Sequence, residues 1–250
     1  MQSLILEDLA WCIRRLPRFL ADTMKTRAAK LVVAGGYIRA CIAREEVSDV
    51  DLFSPSSQEA KDVAYAVANH ELAMFTAGHK GQPCTTIETD NAISVLTKPY
   101  TTQFIHRWTF ESPEDIIPSF DFTIARAAFW FDGENWQSQC DDRFYSDLAA
   151  KRLVYCSPVR KEEAGGSMLR ILKFYQRGYR IPLDSLGAVM ARMMRAVDHG
   201  SVLGACGDKT DPYEVERQTA KVLTGLLREV DPSLDPDHLA HLPSAHESKE

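Results

Sequence analysis

Between residues 4 and 27 apolar side chains return every three or four positions, at Leu6, Leu9, Ile13, Leu16, Leu20 and Met24, the spacing of one helical face, with Pro17 placed to kink it. Leu31-Val32-Val33-Ala34 is then an apolar run stopped by Gly35-Gly36, which predicts a buried strand entering a glycine turn, with a short helix over 37–44 behind it. Residues 47–53 read as a second strand, and 57–74, opened by Ser56-Ser57 with Glu59 nearby, as a helix. Strand-like runs at 92–96 and 103–110 flank Lys98-Pro99-Tyr100, Ser112-Pro113 opens a short helix over 112–117, and the aromatic stretch 120–131 reads as a further strand ended by Asp132-Gly133.

From Asp147 onward the pattern turns helical: 168–176 ending at Gly178, 183–199 ending at Gly200, and 212–230 behind Asp211. The expected class is therefore α+β, a mixed sheet with flanking helices followed by a small all-helical region. The expected division is 1–155, 156–230 and a mobile tail over 231–250, where Pro232, Pro236 and Pro243 accompany a net charge of −4 and little to bury. His238, His241 and His246 fall in that tail and have no metal-site spacing.

The 250 residues carry a formal charge of −6, which argues against the whole surface serving as a nucleic-acid platform. Residues 151–180 reverse that balance, with eight Lys and Arg against Glu162 and Glu163. No stretch approaches the length of a membrane span, and Glu7 and Asp8 interrupt any leader-like apolar run, so neither a membrane nor export is expected. Six scattered cysteines without CxxC spacing suit a reducing cytoplasm.

Three features carry candidate chemistry. Gly35-Gly36 at a helix start would let a phosphate approach backbone N–H groups, although a glycine pair also serves as a plain turn. Asp49-Val50-Asp51 in a strand puts both carboxylates on one face and Val50 and Leu52 on the other; the pair is either two solvated surface acids or a seat for a divalent cation that relieves their repulsion. Asp121, between Phe120 and Phe122, needs a partner in so apolar a run: an arginine such as Arg126, or an ion shared with Asp49 and Asp51.

Together, Gly35-Gly36-Tyr37-Ile38-Arg39 and Asp49-Val50-Asp51 resemble the start of nucleotidyltransferases of the polymerase β superfamily. Within it the chain is most similar to the bacterial poly(A) polymerase and tRNA CCA-adding enzyme group. The 120–126 segment, FDFTIAR, resembles that group's RDFTINA; Asp147-Leu148 with Lys151, and Leu169-Arg170-Ile171-Leu172-Lys173-Phe174, resemble its DL…K and neck segments. Ala40 stands where the pattern has an acid, and Phe120 where it has an arginine.

The resemblance implies Mg²⁺-dependent transfer of NMP from an NTP, ATP or CTP, to an RNA 3′ end by a two-metal mechanism, with Mn²⁺ able to substitute. Asp49, Asp51 and Asp121 would hold the ions. Gly35, Gly36, Arg39 and Arg126 would meet the nucleotide, and no side-chain nucleophile is required. Arg170, Lys173 and Arg177, at i, i+3 and i+7, form a stripe suited to an acceptor's phosphates or to a solvated helix face, with Ile171, Leu172 and Tyr175 expected inward. Tyr175 and Tyr179 could stack bases or fill a core. Glu214 and Arg217 could read the base, or Glu214 could complete a capping box with Asp211. Two other readings remain: transfer to a protein or small-molecule hydroxyl, and a non-catalytic nucleotide- or RNA-binding module.

Overall fold

The computed structural model describes residues 1–26, 30–77, 85–96, 99–158, 165–206 and 211–230. The tail expected over 231–250 and residues 159–164 of the basic segment lie outside the described residues. The chain divides into two compact units, Met1–Val159 and Arg160–Glu250.

In the first unit the apolar stripe near the amino terminus forms two helices, α1 (Leu6–Arg15) and α2 (Arg18–Thr26). Leu16 is forced extended by the proline that follows it, which converts the expected kink into a break. Leu9, Cys12, Leu16, Leu20 and Met24 are buried along the stripe. Strand β1 (Val32–Ala34) runs into α3 (Gly36–Ala43), followed by β2 (Asp49–Phe53) and α4 (Ser57–Thr76), whose Ser56 hydroxyl caps the helix by accepting from the Glu59 N–H at 3.1 Å.

Strands β3 (Thr85–Glu88), β4 (Ala92–Leu96), β5 (Thr101–Ile105), β6 (Ala127–Phe131) and β7 (Trp136–Cys140) complete a seven-stranded sheet in the order β3-β4-β5-β2-β1-β6-β7. β2 and β5 are parallel and every other pair is antiparallel. The two strands that the apolar pattern does not announce are the two edges. β3 is exposed at all four positions and β7 is mostly polar, because an edge strand has less to bury.

The strand expected over 120–131 is shorter than the pattern suggests. A 3₁₀ helix spans Pro113–Ser119, Asp121 lies in a bend, and a second 3₁₀ turn covers Thr123–Ala125, so only Ala127–Phe131 joins the sheet. Phe122 makes an isolated antiparallel bridge with Tyr155, and beyond it bonds from Ala125 N–H to the Phe122 carbonyl (2.9 Å) and from Arg126 N–H to the Thr123 carbonyl (3.1 Å) curl the chain out of strand. The 3₁₀ residues Ile116 and Ile117 pack with Val32, Ala34, Phe53, Ala92, Ile105, Ala128 and Trp130, joined by the partly buried Phe120 and Trp108. A helix α5 (Phe144–Ala149) follows the sheet.

The second unit is helical: α6 (Gly165–Gln176), α7 (Leu183–Arg195), α8 (His199–Cys206) and α9 (Pro212–Val230). The periodic run expected to reach residue 199 breaks after Arg195 and resumes as α8. α6 and α9 approach closely at Gly165, where a Cβ would stand 2.7 Å from the Leu226 carbonyl oxygen. Among the described residues no helix is long and apolar enough to cross a membrane.

Candidate functional site

The β1–β2 register pairs Val32 with Phe53 and Val33 with Leu52, which brings Ala34 level with Asp51 and the Gly35-Gly36 turn beside the start of β2. On β2, Val50 and Leu52 are fully buried while Asp49 and Asp51 are half-buried on the opposite face. That face continues to Phe53, whose ring meets Phe120 edge to face with centroids 6.0 Å apart. The segment bearing Asp121 is therefore packed against the same side of β2. The Ser48 hydroxyl donates to Asp49 Oδ1 at 2.8 Å.

The two glycines differ. Gly35 has φ +82°, and a Cβ there would stand 2.7 Å from Phe120 Cε1; its N–H donates to the Ala127 carbonyl at 3.0 Å and so belongs to the sheet. Gly36 has no heavy atom within 4 Å of where its Cβ would be. The open approach to the first turn of α3 is thus over Gly36, where the leading N–H groups find no intrahelical acceptor.

Two arginines expected at the nucleotide are engaged with the protein. Arg39 is 5% exposed, with Nε 3.4 Å from Glu45 Oε2, so Glu45, just beyond α3, supplies a carboxylate where Ala40 offers none. Arg126 donates to the carbonyls of Phe120 (2.9 Å), Pro118 (3.3 Å) and Cys156 (2.9 Å), and its Nη1 lies 3.7 Å from Asp141. Because the Cys156 N–H in turn donates to the Asp121 carbonyl at 2.7 Å, Arg126 frames the Asp121 bend. Arg126 is a clamp on backbone oxygens, and its position is set by that work.

Sequence reasoning missed the role of Asp147. It is fully buried on α5 and accepts from the Thr123 hydroxyl (2.8 Å), Arg143 Nη2 (3.2 Å) and Arg152 Nε (3.0 Å), tying the turn after Asp121 to α5. Arginines four residues before and five after an acid in an otherwise apolar stretch are the signal that could have revealed it.

Asp49 and Asp51 offer oxygen donors of the kind that suit a hard divalent cation. Among the described residues no three His, Cys, Asp or Glu side chains gather closely enough to hold a metal ion, and Asp121 is 3% exposed. The arrangement fits a cation on the Asp49–Asp51 pair and does not show the expected three-carboxylate set already assembled.

A protein-family profile described as Gabija anti-defense 2 family protein matches residues 12–151, more than half of the chain. The chain belongs to the Gabija anti-defense 2 family. A curated relative, Gabija anti-defense 2 of Bacillus phage SPbetaL7, is 26% identical over 162 residues, 65% of this chain and 36% of that protein, so the chain spans about a third of its length. A CCA-adding enzyme solved with ATP aligns at a TM-score of 0.52 and 14% identity, covering 93% of this chain and 58% of that one. One solved with CTP aligns at 0.50 and 15% identity, covering 92% and 54%. At such identity the likeness establishes the fold alone: this Gabija anti-defense 2 family member shares with CCA-adding enzymes a mixed sheet with flanking helices, followed in sequence by a helical region.

In that helical unit Arg170 is half-buried and Lys173 exposed on α6, and the exposed Arg177 lies in the turn just past the helix end, so the expected stripe is not carried whole by one helix. Ile171 packs inward, whereas Leu172 is 54% and Tyr175 57% exposed, contrary to the expected inward face. Tyr179 is fully buried against Phe174, centroids 5.3 Å apart, and is unavailable for stacking on a base. Tyr175 carries the Arg180 guanidinium 4.5 Å above its ring. On α9 the Asp211 carboxylate accepts from the Tyr213 N–H at 3.1 Å, while Glu214 binds Arg217 through both oxygens (2.6 and 2.9 Å) and Gln218 at 2.7 Å. Glu214 therefore faces along its own helix and not back to the cap, and these bonds hold its carboxyl down at about 2.

Proposed function

We propose that this protein is a divalent-cation-dependent nucleotidyltransferase that moves NMP from ATP or CTP to an RNA 3′ hydroxyl, and that this reaction serves the anti-defence role for which its family is described. The observation that carries the reading is β2, which presents Asp49 and Asp51 half-buried on one face, beside the open first turn of α3 and against the Asp121 segment. Asp49 and Asp51 would hold the divalent cation, with Asp121 completing the set once its segment closes on them, and Mg²⁺ or Mn²⁺ there would supply charge neutralisation for the triphosphate and acidification of the attacking hydroxyl. The chain's own residues do the positioning. Gly36 leaves the helix start accessible to phosphate, Gly35 secures the turn to β6, and Arg126 and Asp147 fix the loops on either side of Asp121. Within the helical unit taken by itself, Arg170, Lys173 and Arg177 offer positive charge suited to RNA phosphates.

The test is incubation with each α-labelled NTP, Mg²⁺, total RNA and cell protein, beside an Asp49→Ala/Asp51→Ala control. Label on RNA with the unaltered protein alone supports the reading, and absence of any transfer overturns it. A second reading, transfer to a protein hydroxyl, is favoured by the chain's net charge of −6, which is unusual for a polymer-binding transferase. It predicts label on protein in the same experiment.

A further inference from the structure

The end of the sheet that bears Asp49 carries a second cluster, on α1. Trp11 is 42% exposed, and the guanidinium carbons of Arg14 and Arg15 lie 5.7 and 5.6 Å from its ring centroid. The indole N–H donates to the Cys41 carbonyl at 3.2 Å, so the ring is oriented from α3. Arg15 donates through Nε and Nη2 to the Tyr100 hydroxyl at 3.0 and 2.7 Å and lies 5.7 Å from that ring's centroid. Tyr100 immediately precedes Thr101, the partner of Asp49 across β2 and β5, and its ring meets Tyr37, in the first turn of α3, at 6.0 Å. Arg15 is thus tied through Tyr100 to the strand partner of Asp49 and, through Tyr37, to the first turn of α3, while the exposed indole and Arg14 extend from it along α1.

This chemistry is selective as to class. The ring is held by its N–H with two guanidinium groups over it; a base stacks on such a ring or on the guanidinium plane itself, and the cations attract phosphates, the combination by which proteins hold single strands without reading sequence. α1 also segregates its charge: the first turn carries Glu7 and Asp8, and the last carries Arg14 and Arg15.

We propose that Trp11, Arg14 and Arg15, with Tyr100 fixing Arg15, form a platform for the single-stranded 3′ end of a nucleic-acid acceptor and lead its terminal hydroxyl toward Asp49 and Asp51. The word acceptor rests on the nucleotidyltransferase reading; the binding surface does not.

The experiment titrates the full chain into a fluorescein-labelled single-stranded RNA 12-mer without NTP and follows anisotropy across a salt series. Trp11→Ala weakens binding on the order of tenfold. Trp11→Phe, which keeps a ring but loses the bond to Cys41, recovers most of that loss. Arg14→Gln with Arg15→Gln lowers the slope of log affinity against log salt by about 1.4. If Trp11→Ala fails to fold, Arg14→Gln, which leaves the Tyr100 bonds intact, decides alone through a slope change of about 0.7.

Unchanged binding in these variants overturns the platform. So does Trp11→Phe binding as weakly as Trp11→Ala, or a duplex binding as tightly as the single strand. Adding labelled NTP separates the two proposals. Variant-sensitive RNA binding with no transfer by the unaltered protein sinks the transferase reading and leaves the platform standing. Undiminished RNA labelling together with undiminished RNA binding by the platform variants sinks the platform and leaves transfer standing.

Discussion

Asp147 and the Asp49–Asp51 pair are acids of the same unit placed in opposite circumstances. Asp147 is fully buried and meets a hydroxyl and two guanidinium groups. Asp49 and Asp51 are half-buried on one face of a central strand, a residue apart, so two like charges share a face that solvent reaches and a cation there would lower their repulsion. Burial with full satisfaction marks an acid that holds the protein together, whereas partial exposure next to a like charge marks one held ready for something else.

The sharpest break of that comparison exchanges the outcomes of mutation. Asp49→Asn with Asp51→Asn should reduce nucleotidyl transfer by about a thousandfold, a few kcal/mol of barrier, while thermal unfolding by calorimetry shifts little or upward because repulsion is relieved. Asp147→Ala should do the reverse. It strands Thr123 and two arginines and should cost about 3 kcal/mol, read as a lower melting temperature, with any remaining folded protein still able to bind Mg²⁺.

The glycines sharpen the same contrast between framework and site. Gly35→Ala places a Cβ 2.7 Å from Phe120 at φ +82° and should cost about 2 kcal/mol in urea unfolding. Gly36→Ala meets nothing within 4 Å, so stability should hold or rise slightly while nucleotide affinity by calorimetric titration falls. Arg126→Lys loses the three-carbonyl clamp and should slow transfer about tenfold through displacement of Asp121, with KM for the NTP nearly unchanged.

Glu214 should give the smallest effect. Its carboxyl sits at about 2 in the folded protein because Arg217 and Gln218 favour the ionised form. The folded value lies below the unfolded one, so its contribution is complete above about pH 4.5 and disappears as pH falls toward 2. Because a salt bridge between partly exposed side chains contributes little, Glu214→Gln should leave the melting temperature at pH 7 within measurement error and alter only its decline at acid pH.

The amphipathic helices and central strands were legible because each has a buried face with the right period. Val50 and Leu52 against Asp49 and Asp51 reproduce the alternation that the sequence displays. The edge strands β3 and β7 were illegible because they bury too little to leave a pattern. Residues 120–126 misled for a different reason. Their aromatic content reads as strand, but the chain there is curled by local backbone bonds and fixed by Arg126 and Asp147, partners that no periodicity reports. Likewise the sequence presents Arg39 as a free cation, and only the fold brings Glu45 beneath it.

The strand order has a consequence for synthesis. β1, which leads into the glycine turn, is flanked by β2 on one side and by β6 on the other, and β2 takes its other neighbour from residues 101–105. A polypeptide released near residue 110 would already contain both glycines and both aspartates of β2, yet β1 would be left with a bare edge. Such pairings between distant segments form slowly, and open edges recruit other chains. Ribosomal pausing or truncation ahead of β6 should therefore yield aggregates without partial activity, making competence an all-or-none event late in translation.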